Sequence, residues 1–181
     1  MVYVHLATGF EEVEALTIVD ILRRAGVEVK TVSITGEKLV MGTHGIGVEA
    51  DLLYEDTDYE ACEMIVLPGG LPGASNLEAH EGLANYIKCF AANGKKLAAI
   101  CAAPMAFGTH GVLEGKKATI YPGMEDRLTG AQATGEGVTK DGNIITGKGP
   151  AYAMAFALAL AEELKGSETA AGVAEGLLYR D

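Results

Sequence analysis

One cysteine in this sequence has the local setting of a nucleophile. Cys101 follows the apolar run 97–100, and two alanines and a proline then open a predicted helix. The spacing Ala99-x-Cys101-x-Ala103 is a sulfur counterpart of the nucleophile elbow G-x-S-x-G, which needs small residues two positions either side of the reactive side chain. Unpaired amides and the helix dipole at such a turn favour a thiolate over a thiol. Free cysteines are also among the most buried residue types, so these residues alone leave a structural role open.

Three glutamates near the start of the chain are candidates for an acid or base. Glu11, Glu12 and Glu14 lie where the first helix is predicted to begin. Acidic residues in a first turn complement the helix dipole, and Thr8-x-x-Glu11 fits a capping box. Alternatively, one of them turns inward toward the thiol, where burial and like charge raise its pKa and suit it to proton transfer. The local pattern does not choose among the three.

A segment rich in glycine and proline follows the apolar run 64–67. It is an ordinary turn in the simplest interpretation, because Gly and Pro are the usual turn residues. In the functional interpretation, Gly69 and Gly70 let backbone N–H groups approach a substrate oxygen closely, as in an oxyanion hole. The N–H of Ala102, directly after the nucleophile, is then the second donor.

The histidines do not supply an obvious base. They stand at positions 5, 44, 80 and 110, and none follows residue 110. A glutaminase-type Cys-His-Glu triad is therefore disfavoured, because its histidine and glutamate follow the cysteine late in the chain. His110 is predicted to lie at the surface beyond the elbow helix. Glu14 is consequently the better candidate for the base.

The remaining cysteines and a glycine-rich motif carry no site in this interpretation. Cys62 and Cys89 lack the small-residue turn around Cys101 and are predicted to be structural. No C-x-x-C pair or zinc-like spacing occurs, so we expect no metal site. The run from Gly142 to Lys148 resembles a Walker A motif, but Gly149 replaces its Ser/Thr, which argues against nucleotide binding.

Length, charge and composition argue against several classes of protein. The 181 residues carry a net charge of −11 with 49% hydrophobic residues, which fits one domain, residues 1–181, with a sizeable core. No Lys/Arg cluster stands out, so nucleic acid and anionic membranes are poor candidate partners. The first residues lack a signal-peptide pattern, and the apolar stretch 151–161 is too short to cross a bilayer. A reducing cytoplasm is the expected location.

Strands and helices alternate along the chain. Strands are predicted at 2–6, 27–34, 64–67, 97–100 and 117–120, hairpins at 39–50 and 135–146, and helices at 13–25, 83–92, 151–164 and from 167. In the first helix we expect Val13, Leu16, Val19, Ile21 and Leu22 to face the core. Such alternation predicts a mainly parallel sheet covered on both faces, with sites beyond the carboxyl ends of its strands. Segments 8–11, 68–70 and Cys101 are therefore expected to converge.

The ordered motifs together resemble the ThiJ/PfpI superfamily, and specifically its Parkinson-disease-protein-7-like branch. The resemblance runs over nearly the whole chain. It is carried by Gly9-Phe10-Glu11-Glu12-Val13-Glu14, Val19-Asp20, Arg23-Arg24-Ala25-Gly26, Val66-Leu67-Pro68-Gly69-Gly70, Ala98-Ala99-Ile100-Cys101-Ala102-Ala103-Pro104 and Gly147-Lys148-Gly149-Pro150.

The resemblance implies a flavodoxin-like α/β sandwich and usually a homodimer. It also implies that Cys101 is the easily oxidised elbow cysteine. Glu14 matches the last glutamate of the family's E-E-x-E run, which is protonated and hydrogen-bonded to the cysteine or its sulfinic acid. The amides matching Gly70 and Ala102 form the family's anion pocket.

Three departures from the family's patterns bear on activity. Ala102 stands where the protease branch has histidine, which disfavours peptidase activity. Tyr121 replaces a histidine of some close relatives, and His44 stands where some carry an arginine.

The expected activity is that of a cofactor-independent cysteine enzyme, similar to a glyoxalase or a deglycase, acting on α-dicarbonyls or early glycation adducts. The alternative is a non-enzymatic oxidation sensor or redox-regulated chaperone that uses Cys101. A role in thiamine biosynthesis rests on a family name alone.

Overall fold

The computed structural model of the protein describes residues 1–180. Its strands are β1 (Val2–Leu6), β2 (Val29–Ser33), β3 (Leu39–Met41), β4 (Gly47–Glu49), β5 (Leu52–Leu53), β6 (Met64–Leu67), β7 (Lys96–Ile100), β8 (Lys117–Ala118), β9 (Gln132–Ala133), β10 (Val138–Asp141) and β11 (Ile144–Gly147). Its helices are α1 (Glu12–Arg24), α2 (Gly73–Ala79), α3 (Glu81–Ala92), α4 (Pro104–Thr109), α5 (Ala153–Lys165) and α6 (Ser167–Gly176).

Seven strands form one sheet in the order β10-β11-β7-β6-β1-β2-β5. All neighbouring pairs are parallel except β10 with β11, so the predicted mainly parallel sheet is confirmed. Leu67 pairs with Ala99, and Gly147 pairs with Ile100. The adjacent strands β6, β7 and β11 therefore end side by side, and Pro68, Cys101 and Lys148 follow them at one edge.

Helices cover both faces of this sheet. One apolar cluster joins α1, α5 and α6 to strand residues such as Val66 and Ile100. The other joins α2, α3 and α4 to Leu67 and Ala99. Neighbouring strand residues thus enter opposite clusters, as the two-residue period of a strand requires. The result is a three-layer, flavodoxin-like arrangement.

The buried face of α1 differs from the prediction. Val13 and Leu16 were expected in the core, but they are 56% and 42% exposed, whereas Ala15 and Ile18 are buried. The helix is rotated relative to the predicted orientation because it also buries Glu12 and Glu14. Apolar periodicity alone places such charged residues on the solvent-exposed face. The predicted capping box is absent: the cap position is Glu11, and no side chain bonds the cap.

Helix α2 was not predicted from the sequence, and neither were the two-residue strands β5 and β9. The helix begins directly after Pro72 within the supposed turn. Its Gly73 permits a close approach, because a Cβ on this residue would lie 2.6 Å from the backbone nitrogen of Phe10. Both predicted hairpins are confirmed as antiparallel pairs, β3 with β4 and β10 with β11. Within residues 1–180, no helix has both the length and the apolar character needed to span a bilayer.

Candidate active site

Cys101 occupies a strained turn at the end of β7. Its φ of 63° lies in the left-handed region, which residues other than glycine rarely adopt. Its N–H donates to the carbonyl oxygen of Gly147 at 2.9 Å, and its own carbonyl accepts from the N–H of Tyr121 at 2.9 Å. The residue is 8% exposed. These bonds hold the thiol at the top of the sheet, between β7 and α4, in the geometry of a nucleophile elbow.

Glu14 is the glutamate that reaches the thiol. Its carboxyl group is fully buried, and Oε2 accepts a 2.8 Å hydrogen bond from the N–H of Gly69. The carboxyl group also interacts with the Cys101 thiol. Gly69 separates the two side chains: a Cβ there would lie 2.5 Å from Cys101 Cβ and 2.7 Å from Glu14 Oε2. A glycine is therefore required between this acid and this thiol.

Burial sets the protonation of both groups. It raises the pKa of Glu14 to about 7, against the opposing effects of the Gly69 amide and the Cys101 thiol. Burial likewise raises the pKa of Cys101 to about 12, and the nearby Glu14 carboxylate raises it further. The expectation that the turn favours a thiolate is thus wrong for the protein without substrate, because burial raises the thiol pKa more than the two amides lower it. A carboxyl group with a pKa near neutrality beside the thiol can instead take its proton during a reaction.

The predicted anion donors divide into two roles. The N–H groups of Gly70 and Ala102 face the Cys101 sulfur, where they act to lower the thiol pKa. The N–H of Gly69, predicted as a third donor, is instead occupied by Glu14. The Gly69 carbonyl accepts from the N–H of Glu11 at 2.8 Å, which ties this loop to the start of α1. Two amides therefore remain for a negative charge that develops near the sulfur.

Glu12 has a positioning role that the sequence did not reveal. It accepts from the N–H of His44 at 2.8 Å and of Ile46 at 3.4 Å, and it pairs with His44 Nδ1 at 2.8 Å. Burial alone would raise the pKa of Glu12, but these hydrogen bonds lower it to about 2. Glu11 Oε1 lies 3.6 Å from the same ring nitrogen. Although these three side chains lie as close as metal ligands, the ion pair and the amides already account for their arrangement.

The other histidines have partners away from the thiol. His5 is fully buried, and its Nε2 lies 2.7 Å from the Tyr59 hydroxyl. His80 caps α3 by accepting from the N–H of Leu83. His110, predicted at the surface, is half-buried, with Nε2 3.0 Å from the carbonyl of Glu78.

The two other cysteines differ in exposure. Cys62 is buried, and its thiol donates to the carbonyl of Met64, as a structural cysteine does. Cys89 is exposed, so burial does not support the structural role predicted for it.

Comparison with known proteins identifies the family of this chain. The model of the DJ-1/PfpI family matches residues 1–163. Protein DJ-1 homolog B of Arabidopsis thaliana is 41% identical over 99% of this chain, but the chain spans only 41% of that protein's length. The Parkinson disease protein 7 homolog of Danio rerio is 36% identical over 97% of this chain and 95% of its own.

Two further relatives add a named activity and a solved structure. The glutathione-independent glyoxalase DJR-1.2 of Caenorhabditis elegans is 30% identical over 87% of this chain and 84% of its own. The solved structure of oxidized Toxoplasma gondii DJ-1 superposes with a TM-score of 0.95, at 39% identity, over 99% of this chain and 98% of the other. With a family match over most of its length and these relatives, the chain belongs to the DJ-1/PfpI family, in its DJ-1 branch.

Proposed function

We propose that the protein is a cofactor-independent enzyme that acts on α-dicarbonyls such as methylglyoxal, or on their early glycation adducts. The observation that carries the proposal is the grouping of a carboxyl group with a pKa of about 7 and two backbone amides around the sulfur atom of one thiol. The similarity to a relative named as a glutathione-independent glyoxalase supports it.

The residues fit a reaction through a covalent hemithioacetal. Cys101 sulfur adds to the aldehyde carbon while Glu14 takes the thiol proton, so the carboxylate acts as a base only when the electrophile arrives. The amides of Gly70 and Ala102 donate to the oxyanion that forms on the aldehyde oxygen. This oxyanion then takes the thiol proton from Glu14, which restores the carboxylate.

An internal redox step completes the turnover. Glu14 moves the proton of the aldehyde carbon through an enediol to the ketone carbon, leaving the thioester of a hydroxy acid. Water cleaves this thioester and restores the thiol. The aldehyde carbon is oxidised and the ketone carbon reduced, so methylglyoxal and one water give lactate with no external oxidant. With an early glycation adduct, a hemiaminal, the Cys101 sulfur displaces the amine from the former aldehyde carbon, and the amine leaves with the proton that Glu14 took from the thiol. The resulting hemithioacetal then follows the same steps.

Methylglyoxal consumption and lactate formation test the proposal. We expect Cys101→Ala and Glu14→Gln each to lower kcat/KM by about 100-fold or more, since each removes a group that acts in bond formation. Cys89→Ala changes an exposed cysteine on α3 and serves as the matched control, with turnover unchanged. Full turnover in either active-site variant removes the mechanism.

A redox-sensor or redox-regulated chaperone role is the second candidate. The similarity to an oxidized DJ-1 structure favours it, as does a buried carboxyl group that is half-protonated near neutral pH beside the thiol. Peroxide oxidises the thiolate form of Cys101 to sulfenic and then sulfinic acid, and a protonated Glu14 can donate to the product. Mass mapping after mild peroxide treatment tests this role, which requires Cys101 to oxidise before Cys62 and before the exposed Cys89.

We also propose a homodimer formed through an exposed apolar face. This face comprises Val13 and Leu16 on α1 and Leu39, Met41 and Ile46 on the neighbouring hairpin. The Glu12–His44 pair joins these two elements, which supports a common surface for their exposed apolar side chains. Contiguous exposed apolar residues are typical of protein interfaces. Three free cysteines agree with a reducing compartment, and we propose the cytoplasm.

A further inference from the structure

A cleft of about 280 Å³ opens between two segments that follow strand ends. Tyr121 and Pro122 form one wall, and residues 148–152 form the other. Both walls are tied to the candidate nucleophile: Tyr121 N–H donates to the Cys101 carbonyl, and Cys101 N–H donates to the residue before Lys148. The same two backbone bonds that hold the elbow therefore also fix the two walls of the cleft to the backbone of Cys101.

Two aromatic side chains line the cleft. Tyr121 is 48% exposed and Tyr152 is 40% exposed, so both rings offer accessible aromatic surface. Gly149 belongs to the second wall, and a Cβ on it would lie 3.3 Å from the Tyr121 ring. Its backbone therefore packs close to that ring, and a side chain at this position would crowd it. A planar group can stack only on the parts of the tyrosine rings that stay exposed.

Lys148 adds one positive charge to this aromatic cleft. Its Nζ donates to the carbonyl of Gly135 at 2.9 Å and lies 6.0 Å from the Tyr152 ring centroid. An ammonium group has three donors, so hydrogen bonding to Gly135 leaves capacity for an anion. Backbone hydrogen bonds, including one from the N–H of Gly123, lower the pKa of Glu125, and the nearby charge of Lys148 also lowers it.

We infer that this cleft is a specificity subsite for the part of the substrate remote from its reacting carbonyl, and that it selects a planar group ending in a carboxylate. The inference rests on the proposed function, because the reacting aldehyde must lie at Cys101. The two tyrosine rings supply stacking surface, and Lys148 supplies the charged hydrogen bond. α-Oxoaldehydes that carry an aryl carboxylate are the substrate class that fits best.

Initial-rate measurements with three aldehydes separate the contribution of the Lys148 charge from that of the aromatic rings. The aldehydes are methylglyoxal, phenylglyoxal and 4-carboxyphenylglyoxal. We expect Lys148→Met to lower kcat/KM for 4-carboxyphenylglyoxal relative to phenylglyoxal by about tenfold, the usual effect of losing one charged hydrogen bond. Lys148→Arg restores most of that ratio. We expect Tyr152→Ala to lower kcat/KM for both aryl substrates about fivefold relative to methylglyoxal.

The matched control is Lys88→Met, which removes an exposed lysine on α3 outside this cleft and leaves all three ratios unchanged. Unchanged ratios in both Lys148→Met and Tyr152→Ala overturn the inference.

A binding measurement separates this inference from the proposed function. The probe is 4-acetylbenzoate, which lacks the aldehyde, titrated into the protein and followed by ligand-detected NMR. If methylglyoxal is not turned over, the proposed function fails. Saturable binding of the probe that weakens about tenfold in Lys148→Met then still supports the subsite. Binding that is absent, or that is equal in wild type, Lys148→Met and Tyr152→Ala, overturns it.

Discussion

Glu14 and Cys101 meet across a residue that has no side chain. The carboxyl group comes from the first turn of α1 and the thiol from the end of β7, and Gly69 lies between them. Its N–H orients the acid, while its missing Cβ makes room for both groups. The spacing of acid and thiol thus depends on a third segment that contributes only backbone.

We expect Gly69→Ala to separate the pair. The new methyl group would overlap Cys101 Cβ and Glu14 Oε2, so one side chain must move, and a displacement near 1 Å is enough to lower kcat/KM about 100-fold. Methylglyoxal turnover and thermal unfolding measure the effect. Gly172→Ala, on α6 with no atom near its Cβ position, is the control. Activity within about twofold of wild type for Gly69→Ala contradicts this account of the site.

Removing the charge of Glu14 should make the thiol more acidic. The Glu14 carboxylate is the second-largest cause of the raised pKa of Cys101, after burial. In Glu14→Gln that repulsion is absent while the amides of Gly70 and Ala102 remain, so the thiol pKa falls. The pH dependence of Cys101 alkylation, resolved by peptide mass spectrometry, measures the change. The variant then combines a more ionised thiol with a lower kcat, whereas a raised thiol pKa would argue against the carboxylate effect.

The raised pKa of Glu14 also makes stability depend on pH. Its pKa is about 7 in the folded protein against an ordinary value of 4.5 for a glutamate in water, so the folded state binds more protons between these values. The stabilisation from protonated Glu14 is complete below about pH 4.5 and is lost as pH rises through about 7, by at most about 3 kcal/mol. We therefore expect Glu14→Gln to gain stability relative to wild type between about pH 5 and pH 8 in urea titrations.

His5 acts in the opposite direction over part of the same range. Burial lowers its pKa to about 3, so its neutral form stabilises the fold above its ordinary value of 6.5, and that stability is lost as pH falls toward 3. For this reason the difference between Glu14→Gln and wild type is informative, since His5 contributes equally to both. A pH-independent difference would contradict the titration of Glu14.

A charge on the exposed apolar face should dissociate the proposed dimer. Leu39 is among the most exposed large apolar residues, and a buried carboxylate without a partner is costly at an interface. We expect Leu39→Glu to shift the sedimentation coefficient to that of a monomer while circular dichroism stays unchanged. Leu178→Glu, at an exposed leucine outside this face, is the control and should leave the assembly intact. A wild-type monomer would exclude the dimer altogether.

Local patterns predicted the elements of this site better than its electrostatics. Small residues around Cys101 indicated a turn directly, because an elbow is a short-range steric requirement. The choice of Glu14 over Glu11 and Glu12 depended on which helix face is buried, and apolar periodicity misplaced that face, as the exposure of Val13 shows.

Two other features were outside the reach of local patterns. The contact of Glu12 with His44 joins residues 32 positions apart, so no local pattern indicates it. The pKa of Cys101 sums burial, a carboxylate and two amides, and only the folded geometry fixes their balance.

The left-handed backbone of Cys101 sets stability against chemistry at a single position. Such a conformation costs a non-glycine residue about 1–2 kcal/mol, and glycine adopts it freely. Cys101→Gly therefore relieves strain while deleting the thiol, whereas Cys101→Ala deletes the thiol and keeps the strain. Selection for heat resistance alone would enrich the glycine variant, whereas selection that also requires turnover would retain Cys101.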